Sequence, residues 1–278
     1  YRIYTNAPFT VSKTSKTLRK LNFTNAWKRN VEVRIVVSSG LQSELEKVSE
    51  ELVWKESFSS IQNKAYKEWN NILSKVKVKG GSDDELKVFY TSLYRVFHSP
   101  FQVTDSLFTE YLGTDGKPHH PNFQYYSSWS LWDTYRTKFP LITLLQPKLS
   151  SDIMQSLAML YITGKKDWST DYECVPTVRT EHAVATLLDA YRQGVNIPNL
   201  REAYPGMIAE VKQMPIKSPD QCLETAGDFW ALGQLAKELG FKNDAKKWQK
   251  RGEEIFDSLI ENHHMAQGCM LPSKTLGT

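Results

Sequence analysis

Trp129, Trp132, Asp133 and Arg136 fall within the stretch YYSSWSLWDTYRTKFP, residues 125–140. On a helix they stand at i, i+3, i+4 and i+7 and share one face, while Leu131, Tyr135 and Phe139 cover much of the rest. A helix apolar almost all round is a buried one. Its charges then persist only if paired, hydrogen-bonded or aimed at a polar visitor. Two readings follow. Asp133 and Arg136 form a structural ion pair within the helix, or they belong to a sugar or carboxylate site. In the second, the aspartate accepts from hydroxyls, the arginine donates a planar fork, and a tryptophan ring offers an apolar stacking face.

Glu224 is the next candidate. It follows Ser218-Pro219-Asp220-Gln221, which reads as a helix start: N-cap serine, proline at the first helical position, and Gln three after the cap. There a glutamate is either a solvated residue favoured by the helix dipole or, in an apolar pocket, a carboxyl that holds a proton and gives it up as a glycosidase general acid does. His182 precedes an apolar helix and is either a hydrogen-bonded helix-end histidine or a ligand-binding one. The loop 104–122 carries Asp105, Glu110, Asp115, His119 and His120 in a spacing that matches neither zinc nor EF-hand patterns, so it reads as a solvated polar loop. Asp167, Asp171 and Glu173, with Trp168 and Tyr172 between them, have the aromatic-acidic character of carbohydrate pockets. GxSxG, P-loop, dinucleotide and HExxH patterns do not occur, nor does a Cys-His pairing, which removes the commonest nucleophile, phosphate and metalloprotease chemistries.

The elements that must position these residues are mostly helical. Residues 1 to about 40 read as β, with Val31 to Val37 alternating at period two after the turn-like Trp27-Lys28-Arg29-Asn30. Residues 41–79 are polar, charged and helix-friendly, and read as one or two linker helices. Gly80-Gly81 breaks the chain, and Ser82-Asp83-Asp84-Glu85 supplies a capping box for a helix to Pro100. Further helices are expected over 148–163, over 179–194 ending at Gly194, from Ser218 to Gly240, and from an Asn243 cap through Leu259. Helices joined this closely run as antiparallel hairpins. The fold class is thus mainly α with a short N-terminal β portion.

The 278 residues hold 40% hydrophobic and 12% aromatic side chains, ample for a large core. With 35 Lys and Arg against 31 Asp and Glu, interspersed, neither a nucleic-acid stripe nor a polybasic membrane patch stands out. No apolar run approaches the ~20 residues of a membrane span. Cys174, Cys222 and Cys269 are widely spaced and cannot all pair, which leaves the redox compartment undecided. The strand-like opening Tyr1-Arg2-Ile3-Tyr4 suggests a processed or excised beginning.

The run Ser127-Ser128-Trp129-Ser130-Leu131-Trp132-Asp133-Thr134-Tyr135-Arg136, with Phe139-Pro140-Leu141 after it, resembles the Phe-Ser-Leu-Trp-Asp-Thr-Phe-Arg signature of the calcium-dependent exo-α-mannosidases of glycoside hydrolase family 92. Trp69-Asn70-Asn71, Phe89-Tyr90-Thr91-Ser92-Leu93-Tyr94, Pro100 and Asp105 follow the family's order. So do His182-Ala183-Val184 with Asp189-Ala190-Tyr191, and Leu223-Glu224 with Ala226, Asp228, Trp230 and Gln234-Leu235-Ala236. The resemblance implies the end of an N-terminal β-sandwich over 1–40, a linker over 41–79, and the first part of an (α/α)6 toroid over 80–278. It implies an inverting mechanism with Glu224 as general acid and a terminal mannose of a glycan or glycoprotein as substrate. Trp132 and Asp133 would hold that sugar, with Arg136, Trp129, His182 and Asp105 as further substrate-binding residues. Calcium is the implied cofactor and an extracytoplasmic compartment the implied location. The family's segments for the base and the metal ligands do not occur in this sequence, so it is expected to carry half a site, with the remaining half of the same protein as a partner. Around Glu224 the family's aromatic positions are Thr225 and Gly227.

Two other classes compete: a non-catalytic helical-hairpin scaffold that binds protein or glycan, and an (α/α)6 glycosidase for another sugar. No fixed repeat of 30 to 45 residues supports the scaffold. The reading that separates enzyme from scaffold is whether Glu224, Asp133 and Arg136 open onto one cavity.

Overall fold

The structure, a computed structural model, describes residues 1–16, 18–24, 30–38, 42–164 and 182–262, and the backbone of 265–266 and 269–270. The fold is mainly α with few short strands. The chain divides into two compact units, residues 1–77 with 104–112 and 118–120, and residues 78–103 with 113–117 and 121–278. Among the described residues no helix is long and apolar enough to cross a membrane.

In the first unit β1 (Arg2–Thr5) and β4 (Val33–Val36) form one antiparallel ladder, with Ile3 opposite Ile35. A second ladder joins β2 (Phe9–Lys13) to β3 (Arg19–Phe23), with Val11 opposite Leu21. The period-two alternation expected of residues 31–37 is present, but its apolar face is the exposed one, with Ile35 61% exposed. The opposite face turns Arg34 inward, where it pairs with Glu32 at 2.6 Å and lies 4.4 Å over the Trp54 ring. The turn expected at 27–30 lies largely outside the described residues.

The expected linker helices are α1 (Gln42–Glu46), α2 (Glu50–Trp54) and α3 (Phe58–Leu73). Ser49 and Ser57 cap the latter two by accepting backbone N–H groups. Leu45, Val48 and Phe108 make a small core beside the fully buried Glu44, which accepts the Thr109 N–H at 3.0 Å and pairs with Lys47. Two-residue strands β6 (Tyr111–Leu112) and β7 (Pro118–His119) close the 104–120 loop, with Tyr111 stacked on His119.

The second unit opens with α4 (Asp83–Val96), whose expected capping box is formed in both directions between Ser82 and Glu85. Strands β5 (Phe101–Gln102) and β8 (Tyr126–Ser127) then pair. Residues 125–140 do not form one helix. After β8, Ser128 takes a left-handed φ of 79°, α5 runs only from Leu131 to Thr134, and α6 (Lys138–Leu145) starts afresh. Pro140 explains the break: in a continuous helix its ring would meet the carbonyl of Arg136, four residues earlier, whereas in the first turn of α6 its missing N–H costs nothing. The shared face of Trp129, Trp132, Asp133 and Arg136 is therefore lost.

Beyond it, α7 (Pro147–Ile162), α8 (Ala183–Arg192), α9 (Leu200–Val211), α10 (Pro219–Glu238) and α11 (Lys242–Asn262) build the main core, and β9 (Met265–Ala266) pairs with β10 (Cys269–Met270). Met154, Leu157, Leu187, Leu200, Met207, Leu232 and Leu235 are fully buried there. Gly194 and Gly240 end α8 and α10 with φ of 84° and 83°, as their positions in the sequence suggest. Two starts differ from expectation. Gln221 reaches back to the Lys217 N–H at 3.1 Å, and Ser218 makes no side-chain cap onto the backbone. Asn243 does not cap α11, because the Ala245 N–H already donates to the Phe241 carbonyl at 2.9 Å. α10 and α11 touch backbone to backbone: a Cβ on Gly252 would lie 2.9 Å from the Ala226 carbonyl oxygen. Two helices approach this closely only where side chains are missing, and the hairpin so formed fixes the register of α10, which carries Glu224.

Candidate active site

A cleft of about 390 Å³ in the second unit is lined by the N-terminal half of α10, one face of α8, and the turn after α5. From α10 come Glu224, Asp228 and the half-exposed Trp230, and from the turn Tyr135 and Arg136. α8 adds Asp189 and Arg192, with His182 at its N-cap. Glu224, Gly227, Asp228 and Ala231 recur at three and four, the spacing that puts side chains on one helix face.

Glu224 accepts a hydrogen bond from the Trp132 indole Nε1–H at 2.6 Å across 92 residues of sequence. Trp132 is 40% exposed, so its ring keeps an open face while its edge holds the carboxylate. A charge-assisted bond of this length orients the carboxylate and leaves its second oxygen available. Trp132→Phe keeps the ring and deletes the donor. Its expected result is a roughly tenfold fall in kcat, the order of one charge-assisted bond, with KM little changed, read in steady-state kinetics on a substrate of the class that the sequence resemblance implies. A raised KM with unchanged kcat would make Trp132 a stacking surface only.

The other expected residues are distributed differently. Arg136 is exposed, lines the cleft, donates through Nε to the Tyr135 hydroxyl at 2.8 Å and lies 5.0 Å from that ring's centroid. Asp133 is exposed and accepts from Ser130 Oγ at 2.7 Å, and it is not among the cleft-lining residues. The buried Asp133–Arg136 ion pair is thus not formed, because the short α5 turns both groups to solvent. Trp129 is 3% exposed and belongs to the core around α7. Asp105 lies in the first unit, where Oδ1 accepts the Leu107 and Phe108 N–H groups, both at 2.7 Å, and so shapes its own loop. The aromatic-acidic segment 167–173 lies outside the described residues, as does the start of the helix expected from 179.

His182 is 5% exposed and takes a left-handed conformation, φ 67°. Its ring stacks on Tyr135 at 4.6 Å between centroids, and its Nδ1 lies 3.4 Å from Asp228 Oδ2. Tyr135, Asp228 and Trp230 did not stand out as site residues in the sequence. Their signal is, for Asp228, its place four residues after Glu224 on one helix face, for Trp230 its place three residues after the cleft-lining Gly227, and for Tyr135 adjacency to Arg136. The cleft therefore offers a carboxyl for proton transfer, an arginine and an imidazole for hydroxyl groups, and the Trp230 indole face for a sugar ring, while Trp132, which is not among the lining residues, reaches the cleft through its bond to Glu224. Among the described residues no group of three or more His, Cys, Asp or Glu side chains could hold a metal ion. The described residues around the cleft thus do not by themselves fit a calcium site.

A family model described as the glycosyl hydrolase family 92 catalytic domain matches residues 45–221. Among solved structures, the GH92 family glycosyl hydrolase ccman5 is similar at 28% identity and a TM-score of 0.68, covering 82% of this chain and 32% of that one. The family GH92 alpha-mannosidase BT3965 from Bacteroides thetaiotaomicron is similar at 24% identity and a TM-score of 0.65, covering 83% and 33%. The family GH92 inverting mannosidase BT2199 from Bacteroides thetaiotaomicron VPI-5482 is similar at 21% identity and a TM-score of 0.74, covering 99% and 43%. No curated protein matches the chain. The chain spans about a third of the length of the first of these structures, 32% and 33%.

Proposed function

The chain belongs to glycosyl hydrolase family 92, and from that premise we propose that it forms part of an exo-acting glycosidase that removes terminal α-linked mannose with inversion of configuration. The observation that carries the reading is the Trp132–Glu224 hydrogen bond at 2.6 Å. It joins, at one cleft, the two segments whose residues bear the resemblance to mannosidase motifs.

In the reaction we propose, Glu224 gives its proton to the glycosidic oxygen as the bond from that oxygen to the anomeric carbon breaks. A water adds to the same carbon from the opposite face and loses its proton to a second carboxylate. Inverting enzymes hold the two carboxyls about 6.5–9.5 Å apart to leave room for that water. Asp228 stands one turn from Glu224, where Cβ atoms lie about 5–6 Å apart on the same face, and its Oδ2 is engaged by His182. It is a poor choice of base. We assign the base, and the ligands of the calcium the resemblance implies, to the part of the related structures that this chain does not cover. The extracytoplasmic location belongs to the same proposal and rests on the resemblance alone.

The test is incubation of the whole glycosidase that this chain is proposed to form part of with an α-linked mannobiose, with added calcium and with a chelator, followed by proton NMR. The expected first product is β-mannose, formed with calcium and not with chelator. Retention at the anomeric carbon would remove the inverting mechanism, chelator-insensitive release would remove calcium, and release of a different sugar from a mixed panel would remove mannose.

A further inference from the structure

Asp228 lines the cleft and yet is 1% exposed, and a carboxylate so buried is costly unless its charge is used. Its Oδ2 accepts the His182 backbone N–H at 3.3 Å and lies 3.4 Å from the same residue's ring nitrogen Nδ1. One oxygen thus grips both the backbone and the side chain of a residue 46 positions away. His182 is held there with φ 67°, ψ 12°, a conformation that L side chains avoid and that persists only where the surroundings enforce it. Its carbonyl starts α8 by accepting from the Thr186 N–H at 2.9 Å and Thr186 Oγ1 at 3.0 Å. The strained residue is therefore clamped on both sides, by α10 in front and by α8 behind.

What the clamp supports faces the cleft. The His182 ring lies under Tyr135 at 4.6 Å and an interplanar angle of 23°. The Tyr135 hydroxyl in turn accepts from Arg136 Nε at 2.8 Å, and the guanidinium lies 5.0 Å from the Tyr135 ring centroid. Tyr135 and Arg136 sit in the three-residue turn between α5 and α6, where the Tyr135 N–H donates to the Leu131 carbonyl at 2.8 Å and the side chains take their height from what they pack against. Glu224 sits one turn before Asp228 on the same face of α10. A single helix thus carries the proposed acid and, four residues on, the group that determines where the facing Tyr135–Arg136 wall stands.

We propose that Asp228 is a positioning residue: acting through His182, it sets the place of Tyr135 and Arg136 relative to Glu224 and so the width of the sugar-binding slot. This rests on the glycosidase reading above and deepens it. Misplacing a binding group by about 1 Å can cost about 10²-fold, so the effect belongs in KM, where the wall meets the sugar, more than in kcat, which Glu224 governs.

The experiment compares the whole glycosidase that this chain is proposed to form part of, in wild-type form, with its Asp228→Asn and Asp228→Ala variants. Asn keeps an acceptor for the His182 backbone N–H and drops the charge, and it decides the matter if the alanine variant does not fold. Three quantities are read: kcat and KM on an aryl α-mannoside, thermal stability, and the rate at which diethyl pyrocarbonate modifies His182, followed by peptide mass. In the folded variants KM rises about tenfold or more, by the misplacement argument, with kcat changed less, and His182 is modified faster in the order wild type, Asn, Ala. A merely structural role lowers stability and the active fraction but leaves KM untouched. An active wild type whose Asn variant keeps both KM and His182 protection overturns the positioning role alone. A wild type that cleaves no α-mannoside overturns the reading beneath it.

Discussion

Glu224→Gln in the whole glycosidase that this chain is proposed to form part of should lower kcat on an α-mannoside with a poor leaving group by about 10²–10⁴-fold, the range for loss of a general acid, while KM stays within a few fold. The amide is nearly isosteric, and its carbonyl oxygen can still accept the Trp132 indole N–H that Glu224 now holds at 2.6 Å. Sugar binding is therefore preserved and the proton is gone, which is the pattern of an interaction made only in the transition state. The sharper part of the prediction is its dependence on the leaving group. A dinitrophenolate departs without being protonated, so its mannoside should lose far less, about tenfold or under by the same reasoning. A loss of equal size on both substrates would show that Glu224 does not supply the proton. Trp132 would then be holding a carboxylate that only binds.

The features legible in the sequence are those whose cause is local. The Ser82–Glu85 capping box, the helix ends at Gly194 and Gly240, and the helix expected over 148–163 each follow from nearby residues, and the structure has all of them, the last as Pro147–Ile162. The 125–140 stretch misleads because its aromatic residues satisfy a 3.6 period by number while Ser128 and Pro140 break the backbone. Punctuation wins over periodicity when a proline ring would collide with a carbonyl. Trp129 shows the consequence, for it lies two residues past the end of β8 and sinks into the core instead of sharing a face with Trp132. The meeting of Trp132 with Glu224 spans 92 residues and no local pattern contains it; only the resemblance brought both residues forward together. The left-handed His182 is less legible still, since its conformation is enforced by Asp228 from another helix and leaves no mark on its own neighbours.

Gly206→Ala should be among the most destabilising of single-methyl additions, because the obstacle is backbone. A Cβ there would lie 2.4 Å from the Tyr161 carbonyl oxygen and 2.9 Å from its carbonyl carbon. Neither atom can rotate away, so α9 must move off α7, and the packing of Met154, Leu157 and Ala158 near Ala203 and Met207 loosens with it. Overpacking of this kind costs about 3 kcal/mol, the upper end of the usual range. For a chain of this size that lowers Tm by about 6–12 °C. The same movement strains the hydrogen bond from the Tyr161 hydroxyl to Glu210, a donor that burial, aided by the charge of Asp228, keeps protonated well above the ordinary tyrosine range. Gly227→Ala is the control of opposite sign: its Cβ meets nothing within 4 Å, so a mid-helix glycine is replaced at a gain of up to about 1 kcal/mol. Calorimetry on both variants separates close approach from helix propensity, which alone would make both alanines stabilising. No residue of α9 lines the cleft, so the folded fraction of Gly206→Ala should keep its kcat at low temperature. Equal Tm for this variant and wild type would mean that α7 and α9 can part without cost, and the core drawn here would not be the one that holds α8 and α10 in place.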